Sequence, residues 1–142
     1  MSTLRRIDQD MARAATGILQ EVITADLRTR HRPLPTMVRM SGLPATVAYL
    51  VSKSGKSGGS RNPLERAYHD LATGIRERLT TGYELGWGRS AQTNEGLVAR
   101  LAELPAGEYD RASAEVEALA TWLSRLAEAR FKAQPANQAE PA

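Results

Sequence analysis

From Glu108 to about Ala133, the residues Tyr109, Ala112, Val116, Leu119, Leu123, Leu126 and Arg130 recur at steps of three and four. That spacing places one side chain per turn on a single face of an α-helix and is incompatible with the two-residue alternation of a half-buried strand. The same rhythm opens the chain, where Leu4, Ile7, Met11, Ala14, Ala15, Ile18 and Val22 define one long helix from Thr3 to Leu27. It returns in Leu64, Tyr68, Leu71, Ile75 and Leu79. Aromatic residues make up only 5% of the 142 residues, so Leu, Val, Ile and Ala carry the apolar content, as helix-on-helix packing favours. The expectation is an all-α fold, a compact single-domain bundle of about five to six helices over residues 1–133. Residues 134–142 are too polar to bury and are expected to form a disordered tail.

Proline and glycine punctuate the pattern. Pro33 and Pro35 disfavour α geometry in the residues before them, which places Arg28, Arg30, His31 and Arg32 on a loop. Thr36 is positioned to cap a short helix through Met37, Val38 and Met40, with Gly42 ending it in the left-handed conformation. Pro44 suits the first turn of a helix from Leu43 to about Ser52. Ser52 to Ser60 is a Gly/Ser-rich segment with Lys53 and Lys56, expected as a flexible, exposed loop. Asn62-Pro63 is a helix start, and that helix runs to Gly82. Gly82 to Gln92 reads as an irregular loop pinned by Tyr83 and Trp87. Asn94 is expected to cap a short helix carrying Leu97, Val98, Leu101 and Leu104, closed by Pro105-Ala-Gly107.

Charge is unevenly divided. Met1 to Arg61 holds ten Arg/Lys against four Asp/Glu, a net of +6, whereas Asn62 to Ala142 holds nine against twelve, a net of −3. An anionic partner for the first part and a protein partner for the second would explain the division; ordinary charged surface is the plainer reading. There is no cysteine, which excludes disulfide frameworks, thiolate zinc sites and cysteine nucleophiles and fits a reducing cytoplasm. No apolar run approaches the ~20 residues that span a bilayer, and no signal-peptide core is visible, so no membrane partner is expected.

Candidate chemistry is thin. Gly55-Lys56-Ser57 resembles the end of a phosphate-cradling P-loop, but position 50, where the first glycine of that motif belongs, is Leu50. His31 and His69 are the only histidines, and neither is followed by a second ligand three or four residues later. His69 and Asp70 read as a solvated surface pair, and Glu115 and Glu117, two apart on a helix, point in different directions. No catalytic residue, metal site or cofactor is assigned. What remains is the basic set on loops and short helices: Arg28, Arg30, Arg32 and Arg39, then Lys53, Lys56 and Arg61. Singly these are solvated surface; clustered on two segments, they suit sequence-independent contact with a phosphate backbone.

Two blocks then meet a known pattern. Leu34-Pro-Thr-Met-Val-Arg-Met-Ser-Gly-Leu-Pro-Ala-Thr-Val-Ala-Tyr-Leu-Val-Ser-Lys-Ser-Gly55 carries a short apolar helix into the Gly42-Leu43 pair and on to Ser52-Lys53. The segment from Glu108 to Ala129 is similar to a closing helix with Tyr109, Trp122-Leu123, Arg125 and Ala127 at matching places. Together they resemble the small subunit of type III-B CRISPR (Cmr) RNA-guided complexes, in order and total length, from the first helix to about Phe131. The Gly/Ser-rich Ser54 to Ser60 insertion and the Gly82 to Gln92 loop depart from that pattern.

The resemblance implies a helical bundle without catalytic activity, stacked in further copies of itself along the other Cmr complex subunits, beside guide and target RNA. Base pairing to the guide would read the target sequence while protein supplies basic surface. Arg39 and Lys53 fall in the matched block; with Lys56, Arg61 and, on the first helix, Arg13, they are the candidate RNA-binding residues. The alternatives are a helical protein–protein adaptor working through the Tyr109 to Arg130 stripe, or a type III-A small subunit, without direct RNA contact. A small enzyme with a site assembled from distant positions ranks last.

Overall fold

A computed structural model of the chain describes residues 3–56, 58–81 and 91–135. Among them are seven α-helices: α1 (Thr3–Ile18), α2 (Ala25–His31), α3 (Leu34–Ser41), α4 (Leu43–Ser52), α5 (Pro63–Thr81), α6 (Asn94–Ala102) and α7 (Ala106–Ala133). The longest, α7, is the spine: α1, α2 and α3 lie against it, while α4 packs on α5 and α6 and turns back onto α3. The periodic residues Ala112, Val116, Leu119, Leu123 and Ala127 are buried along its length, so its apolar face is taken up by the chain's own core. An adaptor working through that face would have to open the fold.

Among the described residues seven helices stand where about five to six were expected, in part because the first one is cut in two. Gln20-Glu21-Val22-Ile23-Thr24 ends in three consecutive β-branched residues, which are poor helix formers. Thr24 takes an extended conformation and its hydroxyl accepts from the Leu27 amide at 3.1 Å, capping α2. The α1 end is satisfied from far along the chain. Arg130 Nη1 donates to the carbonyls of Leu19 (3.1 Å) and Gln20 (2.8 Å), and Gln134 bonds both backbone groups of Ile23.

Arg28, Arg30 and His31 therefore lie on α2, not on a loop. Pro33 restricts only the residue before it, and Arg32 still holds helical angles there, so the break shrinks to Arg32 and Pro33. Helix α3 starts at Leu34, two residues before the expected Thr36 cap, with Pro35 in its first turn, where its missing N–H is harmless. Gly42 separates α3 from α4 at φ 92°, ψ 158°, a glycine-only region but not the left-handed helical one expected.

The bounds of α4 match the sequence reading, and α5 starts as expected. Asn62 Oδ1 accepts from the Glu65 amide at 2.8 Å, and Glu65 Oε1 accepts from the Asn62 amide at 3.0 Å, a reciprocal cap. Helix α6 is capped by Thr93 instead of Asn94: the Thr93 hydroxyl accepts from Gly96 N at 2.9 Å. Asn94 is drawn to α5, accepting from Arg76 Nε and donating to Thr73 Oγ1. The expected loop over Gly82 to Gln92 falls at 82–90 outside the described residues, as do 136–142 of the expected tail.

Candidate nucleic-acid interface

The five candidate cations occupy three separate places. Lys53, Lys56 and Arg61 share the connection between α4 and α5. Arg39 lies on α3 against α7, and Arg13 lies on α1 beside α5.

The α4–α5 connection is more anchored than its Gly/Ser composition suggests. Ser54 is buried, its hydroxyl donating 2.6 Å to the Leu50 carbonyl. The Ser54 carbonyl in turn accepts from Arg61 Nε at 2.6 Å. Gly55, at φ 78°, lies over the Glu65 carboxyl group so closely that a β-carbon would come within 2.9 Å of its carbon. The chain then turns at Gly58, also at positive φ, with Gly59 N donating to the Lys56 carbonyl. This framework presents Lys53 and Lys56 to solvent. Lys53 Nζ stands 5.8 Å from the centre of the Tyr49 ring, a cation–π distance that leaves the ammonium accessible. Among the described residues no carboxylate pairs with Lys53, Lys56 or Arg61.

Arg39 is already engaged. Its Nε and Nη2 both reach Glu117 Oε2, at 3.3 and 3.1 Å, in a groove bordered by Gly42, Tyr109 and Ser113. The pair is exposed enough for solvent to screen it. Arg13 is 80% exposed and leans on Asp10 at 3.3 Å, one turn earlier.

Of the cations in and just after α2, Arg28 and Arg32 reach α7. Arg28 stacks over the Phe131 ring at 4.1 Å and lies 3.5 Å from Glu128, which Arg32 contacts at 3.1 Å and Lys132 at 3.6 Å. The Arg32 hydrogen bond, with Arg28 and Lys132 beside it, holds the Glu128 carboxyl below its usual range. Arg30 pairs with Asp26 along the helix.

Groups weighed for chemistry go to structural roles. Glu115 and Glu117 diverge as their spacing requires: Glu115 is buried and receives a hydrogen bond from Arg78 Nε of α5, while Glu117 takes Arg39. His31 is buried, with Nδ1 2.7 Å from the Leu27 carbonyl one turn back. His69 and Asp70 are half-buried, and Asp70 Oδ2 accepts from Gln20 Nε2 at 3.2 Å, so they are not a simple solvated pair. Among the described residues no three His, Cys, Asp or Glu side chains converge as metal ligands would.

Arg66 stands outside the basic set picked out by sequence. With His69 and Asp70 it faces Gly59, Ser60 and Arg61 across an open cleft. Its signal was present in the i, i+3, i+4 spacing of 66, 69 and 70 beside a Gly-rich turn, but the return of that turn onto α5 is a tertiary feature.

Compared with known proteins, residues 7–130 match the family described as CRISPR-associated protein (Cas_Cmr5). No curated protein and no solved structure matches the chain. A match over this share of the sequence shows the family: the chain belongs to the CRISPR-associated Cas_Cmr5 family, the small subunits of the type III-B Cmr complex.

Proposed function

From that membership we propose that the chain is a non-catalytic small subunit of a type III-B RNA-guided effector ribonucleoprotein. It stacks in further copies along the other Cmr subunits and lines the target RNA in antiviral defence, in the cytoplasm. The observation that supports RNA lining is the α4–α5 connection, where Lys53 and Lys56 project from a braced turn with no carboxylate partner among the described residues. Unpaired ammonium groups on an anchored backbone can meet phosphates without first breaking an internal ion pair. Arg61 and Arg39 add charge nearby in sequence but are held by Ser54 and Glu117. No helix among the described residues is long and apolar enough to cross a membrane.

The test uses assembled complexes carrying Lys53→Gln and Lys56→Gln, with Arg39→Gln and Arg61→Gln added in a second set. Target-RNA affinity should fall about equally for unrelated sequences, and the log–log salt slope should flatten by about one for each phosphate that is no longer neutralised. Unchanged affinity and slope in the fully assembled quadruple variant would leave a scaffolding subunit without RNA contact.

A further inference from the structure

The first two turns of α5 carry Arg66, His69 and Asp70 on one face, since residues three and four apart are neighbours on a helix surface. The preceding segment folds back so that Gly59, Ser60 and Arg61 form the opposite wall of the same cleft. Arg61 is aimed by a chain of three bonded groups. Ser54 Oγ donates to the Leu50 carbonyl, and Arg61 Nε donates to the Ser54 carbonyl, so the guanidinium is fixed to the end of α4 through one nitrogen. Among the described residues its terminal nitrogens have no acceptor, and the Arg66 guanidinium has none either.

Both neighbouring carboxylates are occupied. Glu65 accepts the Asn62 amide and lies beneath Gly55, and Asp70 accepts from Gln20 on the link after α1. The cleft is thus lined by two guanidinium groups, an imidazole, a hydroxyl, the backbone of Gly59 and the Asp70 carboxylate, with no aliphatic side chain among the lining residues. A protein segment docking here would find no apolar pocket for an anchoring residue, whereas a phosphodiester asks only for converging donors and positive charge.

We infer that this cleft seats one backbone phosphate of the target RNA, with Arg61 and Arg66 as the charged donors and Ser60 and His69 beside them. The site rests on the RNA-lining reading and extends it to Arg66 and His69 on α5. Asp70 opposes the ligand, and its carboxylate sets an upper limit on affinity. A free phosphate offers the same chemistry at lower valency, since RNA held along stacked subunits presents its phosphates at high effective concentration.

The experiment compares Arg66→Ala, His69→Gln and Asp70→Asn in assembled complexes, with inorganic phosphate as competitor and circular dichroism of each subunit as a folding control. Arg66→Ala should weaken target-RNA binding by about tenfold, the effect of removing one charge-assisted hydrogen bond, and flatten the salt slope by about one. His69→Gln should weaken it by a smaller factor. Asp70→Asn keeps an oxygen for Gln20 and should tighten binding several-fold, which a purely structural role for the cleft would not produce. Millimolar phosphate should compete weakly with the wild type and not with Arg66→Ala. If Arg66→Ala and Asp70→Asn leave affinity and slope unchanged while the Lys53/Lys56 variant still weakens binding, the cleft is off the RNA path and the RNA-lining reading stands alone. If neither set matters, both fall. Loss of subunit assembly with RNA affinity intact would make the cleft a protein contact and overturn the inference.

Discussion

Gln134 closes a two-point hydrogen bond on Ile23: its Oε1 accepts the Ile23 amide, and its Nε2 donates 2.7 Å to the Ile23 carbonyl. One side-chain amide thereby satisfies both polar groups of a residue whose surface is entirely buried, at the point where α1 gives way to α2. Arg130, one turn earlier on α7, holds the carbonyls of Leu19 and Gln20. Gln134→Ala would leave both Ile23 groups without partners, and its cost should be about 1–3 kcal/mol in urea unfolding. A loss below about 0.5 kcal/mol would mean that solvent replaces the amide easily.

The buried ion pair between α5 and α7 makes a different kind of contribution. Arg78 and Glu115 are 14% and 8% exposed, so each charge depends on the other for compensation. Glu115→Ala should destabilise by about 3–5 kcal/mol, because it strands a guanidinium in the core. Replacing both, as Arg78→Met with Glu115→Leu, should recover most of that loss. Thermal unfolding of the single and double variants checks the sign: equal losses in both would show that packing, not charge pairing, matters there.

These interactions explain which parts of the fold were legible in the sequence. Helix α4 runs from Leu43 to Ser52 as its sequence predicts, because Gly42 and Pro44 act within a few residues of the boundary they set. The reciprocal Asn62–Glu65 cap is equally local. The break after Ile18 is not, since its partners Arg130 and Gln134 lie about 110 residues away. Asn94 has the chemistry of a cap, yet Arg76 and Thr73 of α5 draw its side chain away and leave the role to Thr93. Of the candidate interface, the exposed lysines were visible as composition. The capture of Arg39 by Glu117 and the cleft around Arg66 needed helices brought together across the sequence.

His31 predicts a pH dependence of stability. Burial pushes its pKa down, partly opposed by the hydrogen bond to the Leu27 carbonyl. The folded state therefore binds a proton less readily than the unfolded chain, whose imidazole titrates near about 6.5. Stability from this group is fully present above that value and is lost as pH falls toward the lowered folded pKa, with a slope of at most about 1.4 kcal/mol per pH unit. Urea unfolding at several pH values below neutrality should show a smaller slope in His31→Gln than in the wild type, whatever the variant's absolute stability. Equal slopes would assign the acid sensitivity to other groups.

Gly42 is a point of close approach as well as of unusual backbone. At φ 92° a side chain is strained, and a β-carbon would lie 3.2 Å from the Tyr109 hydroxyl oxygen of α7. Gly42→Ala should therefore cost about 1–3 kcal/mol. Tyr109→Phe removes the nearest atom and should return only the steric part. Full recovery in the double variant would show that the backbone angle carries no strain.

Glu117 holds Arg39 in the groove between α3 and α7, and this pair offers a test of whether Arg39 reaches RNA. An exposed ion pair of this kind is worth little to folding, so Glu117→Gln and Arg39→Gln should each change stability by no more than about 0.5 kcal/mol. Their effects on RNA should be opposite. Under the proposed function, Arg39→Gln removes a cation and weakens target-RNA binding by the assembled complex, whereas Glu117→Gln removes a competing carboxylate and strengthens it. Glu117→Gln combined with Arg39→Gln should lose most of that gain, because the released guanidinium is what delivers it. The comparison belongs at low and moderate salt, where screening by added ions separates a phosphate contact from a structural change. If Glu117→Gln tightens binding equally with and without Arg39, the gain comes from net charge alone, and Arg39 leaves the set of RNA-contacting residues.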